Sequence, residues 1–326
     1  MSLFAGDILK FIKSCVVVAA SLLVAACDDS NNNDATSFSN VSFSVSDAPV
    51  DSANNVVIAF DQLEFIHADG TRIIVAVDED LDGNSYQQID LLDYPGSNAA
   101  LILTDQALPT GDYKELILHI EANKSLSYVI DNDGTNELKQ PSNKLKLGSF
   151  TINDETVQSF TIEFDLRQSL VMRGNSVNNK GYILKPHGVT IIDNDTAASL
   201  KGTVDNDLFA AGSCVNDTGN YVYLYAGRDL DSTKLVDNFD ASDDTFNGTL
   251  PDVGSLAPYA STSVDLGTGD YAFGYLPSGY YTAAFSCGAV GDDPVQFDAL
   301  TIPDPTWQFE EVILSDSQEL IYDFNK

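Results

Sequence analysis

Apolar and polar side chains alternate with period 2 along Val41-Ser42-Phe43-Ser44-Val45. The same alternation runs through 159–166 and 221–225, and less cleanly through 55–60. Successive side chains of a strand point to opposite faces, so these runs predict half-buried strands. Asp-Gly, Asn-Asp-Gly and Pro-Ser-Gly clusters punctuate them. Short alternating runs with regular turn signals predict an all-β chain built as antiparallel β-sandwiches. Helical periodicity is scarce. Residues 97–107 read as a short helix and residues 165–171 as a single helical turn.

One pattern occurs twice. Leu108-Pro109-Thr110-Gly111-Asp112-Tyr113 precedes the apolar run 116–120, and Leu276-Pro277-Ser278-Gly279-Tyr280-Tyr281 precedes the run 282–285. In each, Pro fixes a turn residue, Gly takes the positive φ, and Tyr starts a strand and covers the sandwich end. A chain of this length accommodates two domains. The repeat places them at 41–195 and 196–326, with the boundary near Asp193-Asn194-Asp195-Thr196.

The N-terminus reads differently. Lys10 and Lys13 precede the largely apolar stretch 15–26, and small residues lead into Cys27. The stretch is shorter than the roughly 20 residues of a spanning helix, as expected of a signal peptide. No later stretch is apolar enough to span. Residues 1–27 resemble a bacterial lipoprotein signal with its lipobox. The resemblance implies removal of 1–26, a lipid on Cys27, and an envelope location facing the periplasm or the cell surface. Val24 departs mildly from the usual leucine. Asp28 resembles a retention signal of some inner-membrane lipoproteins, and the leaflet stays open. The polar segment 28–40 lacks the apolar content to order itself and reads as a flexible tether, reaching on the order of 20 Å as a coil.

Charge narrows the partners. Lys and Arg total 16 against 49 Asp and Glu, a formal net charge of −33. Such a chain repels phosphate backbones and anionic lipid surfaces, which excludes nucleic-acid binding. Its acidity fits either a cationic ligand or solubility in a salty medium. Beyond the signal and anchor, the cysteines are Cys214 and Cys287. In an oxidising compartment they are expected to form a structural disulfide, worth roughly 4 kcal/mol for so long a loop on the chain-entropy account. Neither sits in a C-x-x-C redox context.

Four stretches carry a family resemblance: Phe43 to Asp51 (FSVSDAPVD), the Leu108 to Tyr113 turn, Phe164 to Val171 (FDLRQSLV), and Tyr182 to Pro186 (YILKP). In this order they resemble the bacterial "domain of unknown function 4382" family of envelope lipoproteins, over about residues 40–192. The resemblance implies no activity and no catalytic residue. Residues 196–326 look like a transthyretin-like or carboxypeptidase-regulatory-like β-sandwich, through Leu200 to Val204, Tyr221 to Tyr225 and Asp270 to Tyr281. Modules of that kind are mostly structural or binding units.

Candidate chemistry is thin. His67, His119 and His187 stand in no metal or triad spacing, and His119 is expected to face outward on a strand. The sharpest cluster is Asp78-Glu79-Asp80-Leu81-Asp82-Gly83-Asn84. Asp78, Asp80, Asp82 and Asn84, with Asp90 further on, are spaced to offer oxygens to Ca2+, though Ile89 stands where an EF-hand has its bidentate Glu. Asp131 to Glu137 (DNDGTNE) is a looser second loop. Solvated hairpin turns explain both equally. Tyr221, Tyr223 and Tyr225 share one face of a strand, either as a binding surface for sugar or protein or as core. Together these features describe a non-catalytic, lipid-anchored envelope protein that binds an envelope protein or polysaccharide. A calcium-dependent glycan hydrolase and a subunit of a surface assembly are the rivals.

Overall fold

The alternating run at 41–45 lies within the strand Phe38–Ala48. Its Val41, Phe43 and Val45 are fully buried, while Ser42 and Ser44 are half-buried on the other face. The computed structural model describes residues 37–48, 53–121, 123, 125–154, 157–175, 178–211, 214–215 and 218–326. The signal segment, Cys27, residues 28–36 of the tether, and Pro49 to Asp51 of the first family stretch lie outside the described residues, while Phe38 to Asn40, expected in the tether, instead begin the first strand through their pairing with Ala100–Pro109.

Phe38–Ala48 pairs in parallel with Val157–Asp165 and antiparallel with Ala100–Pro109, and Val189–Asp193 completes a four-stranded sheet. Facing it is a ten-stranded sheet organised around Asn55–His67 and Gly111–Ile120. Between them lies a core seeded by aromatic rings. Phe43 stacks on Phe160, its register partner, at 5.2 Å between centroids, and meets Phe65 and Phe150 at 5.3 and 5.6 Å.

The chain then passes through residues 194–197 into a second core, between a three-stranded sheet (Asp270–Leu276, Ala198–Thr203, Glu319–Ile321) and a four-stranded one (Ala260–Ser263, Tyr221–Ala226, Gly279–Ser286, Phe309–Leu314). The protein is all-β, as the alternation requires. Among the described residues, three parallel strand pairings stand among mostly antiparallel ladders: the one above, Gly134–Lys139 with Asn178–Leu184, and Ala198–Thr203 with Glu319–Ile321. Period 2 reports a strand without reporting its partner's direction. Residues 36–326 form one compact unit.

The helix expected over 97–107 is replaced by the strand Ala100–Pro109. Its apolar run Ala100 to Leu103 is too short to distinguish the two periods, and pairing with Phe38–Ala48 settles it. The single turn expected at 165–171 is present as the helix Leu166–Ser169.

The repeated turn has a common construction. The Tyr113 hydroxyl donates to the Pro109 carbonyl at 2.8 Å, and the Tyr281 hydroxyl to that of Pro277 at 2.9 Å. Both tyrosines are buried. Gly111 has φ +123°, and a Cβ there would meet His67 Nε2 at 2.9 Å. Gly279, at φ +159°, is close to extended. Tyr113→Phe and Tyr281→Phe should each cost about 0.5–1.5 kcal/mol in urea unfolding, the net worth of one hydrogen bond. A zero cost at both would leave the repeat without a structural role.

Candidate functional site: the seam between the two cores

The helix Leu166–Ser169 has all four residues buried, in the middle of the family stretch FDLRQSLV. It is a peg between the two cores. Arg167 reaches the second core: its Nη2 donates to Asp292 Oδ2 at 3.1 Å, and its guanidinium lies 3.9 Å from the centre of the Tyr221 ring. The side chains of Arg167 and Asp292 are 3% and 0% exposed. Asp292 Oδ2 also accepts from the Tyr223 hydroxyl at 2.8 Å and Asn238 Nδ2 at 2.7 Å. Burial nevertheless pushes the Asp292 carboxyl up to about 6. Also on the peg, Gln168 donates to the Tyr259 carbonyl and to Asp165 Oδ2, both at 3.0 Å, and the Ser261 amide donates to Asp165 Oδ2 at 3.1 Å. Lys185 of the family stretch YILKP forms an ion pair with Asp243.

Above the peg the loop 94–98 crosses the seam. Ser46 Oγ lies 3.2 Å from the carbonyls of Tyr94 and Gly96. The Tyr275 hydroxyl donates to the Ser97 carbonyl at 3.0 Å. Gly274 permits this approach: a Cβ there would sit 1.9 Å from the Gly96 oxygen.

The loop forms one wall of an open groove of about 830 Å³. The floor is the outer face of the three-stranded sheet. Along Ala198–Thr203 the even positions enter the core, which leaves Ser199, Lys201 and Thr203 facing the groove. Ala272, Glu319 and Ile321 join them from the neighbouring strands. Thr262, Ser263 and Asp265 close the far side. Four carboxylates (Asp265, Asp270, Glu319, Asp323) line the groove against a single basic group, Lys201, which pairs with Glu319 at 2.8 Å. No histidine or cysteine lines it. Hydrogen bonds from Thr268 and the Gly267 amide hold Asp265 below the usual carboxylate range.

The residues singled out from sequence fall elsewhere. Cys214 and Cys287 form a disulfide with Cα atoms 5.6 Å apart. Tyr221, Tyr223 and Tyr225 offer no open binding face: all three are buried beneath Leu235, Ala289, Ile302 and the guanidinium of Arg167. Their strand is covered on both sides, since Val222 and Leu224 enter the second core.

The acidic loop 78–84 is closed by hydrogen bonds. Asp80 Oδ1 accepts from the amides of Asp82 and Asn84 at 2.9 and 2.8 Å, and Asp80 Oδ2 from Asn84 Nδ2 at 2.7 Å. Asp78 accepts from Thr104 at 2.6 Å. Asp90 instead caps the short helix Leu91–Asp93 and takes the Val56 amide at 3.0 Å. In the second loop, Asp131 closes a hairpin turn through the amides of Asp133 and Gly134 and accepts the Tyr182 hydroxyl. Among the described residues, the one group of three or more ligating His, Cys or acidic side chains with atoms within 4.8 Å of one another is Cys214, Cys287 and Asp304, at the disulfide. His119 is partly buried, with its Nε2 2.7 Å from Glu64 Oε2. Arg72 and Lys144 meet the same buried carboxylate. Burial alone would raise Glu64, but hydrogen bonds from Lys144, His119 and Arg72 hold it at about 2.

The seam was not visible from sequence. Its one signal was the pair Asp165 and Arg167, two charges flanking Leu166 between the apolar residues Phe164 and Leu170.

Residues 38–186 match the family described as "Domain of unknown function (DUF4382)". No curated protein matches the chain. Among solved structures, the Bacillus anthracis TIE protein is similar at 11% identity and a TM-score of 0.20, over 88% of this chain and 34% of that one. The chain thus spans about a third of that protein's length. A Parabacteroides distasonis protein described as a "Putative cell adhesion protein" is similar at 8% identity and a TM-score of 0.19, over 89% of this chain and 100% of its own. A Bacteroides fragilis protein of the same description has 10% identity and a TM-score of 0.20, over 87% and 92%. Likenesses of this size carry nothing about function.

Proposed function

We propose that this protein is a non-catalytic binding module of the bacterial cell envelope, anchored by a lipid on Cys27, whose seam groove takes a neutral, hydroxyl-rich ligand of the polysaccharide class. The groove carries the reading. Its volume lies in the range of small-molecule sites, and its walls alternate hydroxyls, an amide and carboxylates with the apolar faces of Ala272 and Ile321. Sugar hydroxyls need donors and acceptors together, and these side chains supply both. The carboxylate excess disfavours anionic polymers. The seven strands of residues 198–321 in two sheets are compatible with the transthyretin-like reading.

Ser199→Trp fills the groove from the floor without entering the core. In calorimetric titration of the full chain in detergent with neutral envelope glycans, it should weaken binding at least about tenfold while leaving the melting midpoint in place. Undiminished binding would remove the groove from the proposal. The anchor has its own test. Cys27→Ser should move the protein from the membrane fraction to the soluble fraction and abolish labelling by a fatty-acid probe. Retained labelling would place the lipid elsewhere.

A further inference from the structure

Next to the groove, sharing Phe273 with its lining, is a second, narrower space of about 40 Å³. It is lined by Glu163, Asp165, Gly188, Thr190, Tyr259 and Gly274, among others. Both acids come from the strand Val157–Asp165, where positions two apart share a face and lie about 6–7 Å apart. The first core takes Phe160, Ile162 and Phe164, which leaves Glu163 and Asp165 on the opposite side, facing the second core.

Their oxygens are not satisfied. Asp165 is 5% exposed, and while its Oδ2 takes Gln168 and Ser261, its Oδ1 has no hydrogen-bond partner. Glu163 is half-buried and its carboxyl takes a hydrogen bond from Ser46, but its buried Oε2 has no partner. On the adjacent strand Asp47 is fully buried with neither carboxylate oxygen paired. Arg167, the nearest cation in sequence, is already engaged with Asp292. A low-dielectric seam does not hold such a set of ionised carboxylates alone.

We propose that this space is a cation site, in which Glu163 Oε2 and Asp165 Oδ1, both from the first core, hold one Ca2+ at the seam. The donors are all hard oxygens. Two carboxylates a strand repeat apart can both approach an ion at the 2.3–2.6 Å that calcium takes. The hydroxyls of Thr190 and Tyr259 are at hand in the same lining. The space exceeds the roughly 10–15 Å³ that a single water needs. Burial, with neighbouring carboxylates adding to it, raises Asp47 and Glu163, and burial alone lifts Asp165 to about 7. Because the ion touches strand 157–165 and the lining from residues 259–276, it would fasten the two cores together. This site is separate from the acidic loop 78–84 and from the groove's ligand.

The test uses the full chain in detergent at pH 7.5, titrated with CaCl2 after chelator treatment. Calorimetry should give one ion per chain, with proton release that depends on the ionisation heat of the buffer. Millimolar calcium should raise the melting midpoint by at least about 5 °C. Glu163→Gln should abolish both effects and melt at least as high as the calcium-free parent, since it removes a carboxylate whose buried Oε2 has no partner. Asp80→Asn should leave both effects intact. No rise with calcium, a rise undiminished in Glu163→Gln, or a rise lost in Asp80→Asn would each overturn the assignment.

Discussion

Arg167→Ala is expected to lower the unfolding free energy by about 3–5 kcal/mol. The side chain spans the seam with almost no exposure, and its removal leaves Asp292 buried with only the Tyr223 hydroxyl and Asn238 to answer its charge. It also takes away a guanidinium stacked on Tyr221 and opens a hole beneath the tyrosine face. Two controls separate charge from volume. Arg167→Met keeps most of the stem, and Asp292→Asn removes the carboxylate that Arg167 answers. If the buried charge dominates, Arg167→Met with Asp292→Asn should recover much of the loss, a coupling that a double-mutant cycle in urea reads directly. Arg167→Lys keeps the charge but loses the fork and the stack, and should fall between. A loss below about 1 kcal/mol for Arg167→Ala would mean that the peg does not hold the cores together.

The strands were legible because one face of each run is buried and the other is not, as at Val41, Phe43 and Val45. The turn at Leu108 to Tyr113 was legible because Pro, Gly and Tyr each have one strong local preference. Residues 100–103 were misread because four apolar residues fit either period, and their strand exists through its pairing with Phe38–Ala48. The tyrosine face was ambiguous for a different reason. Period 2 shows that Tyr221, Tyr223 and Tyr225 share a face, but what covers it is Arg167, more than 50 residues away, and a loop region beyond residue 230. The groove and the narrower space beside it are products of the seam, and a seam between two cores has no signature in either core's own pattern. In the acidic loops composition blurs the signal: with 49 acidic residues, calcium-like spacing also arises in turns that hydrogen bonds close.

Heating the calcium-free protein at a series of pH values should give a higher melting midpoint near pH 5 than near pH 8, by more than about 5 °C, where ~1 kcal/mol moves the midpoint of a domain this large by roughly 2–4 °C. Linkage fixes the sign. Asp165 is raised by burial to about 7, and Asp237 and Asp292, also by burial, to about 6. A carboxyl raised in the folded state contributes stability that is complete below its unfolded value near 4 and is lost as the pH climbs through 6 to 7. Glu64 works in the opposite sense: held at about 2 by Lys144, His119 and Arg72, it stabilises above about 4.5 and ceases to do so as the pH falls toward 2. The two trends leave a maximum near pH 5. Surface repulsion in a chain of net charge −33 also relaxes on acidification, and salt distinguishes the two causes. At 1 M salt the Debye length is about 3 Å, so surface repulsion is screened while the buried acids are not. The advantage at pH 5 should therefore persist in high salt. Asp237→Asn, which replaces a buried carboxylate whose Oδ1 has no partner, should flatten part of the curve between pH 5 and 7. A midpoint that is level or rises from pH 5 to pH 8 in high salt would show that the seam carboxylates are not carrying charge into the interior. It would remove the electrostatic reason for a cation there.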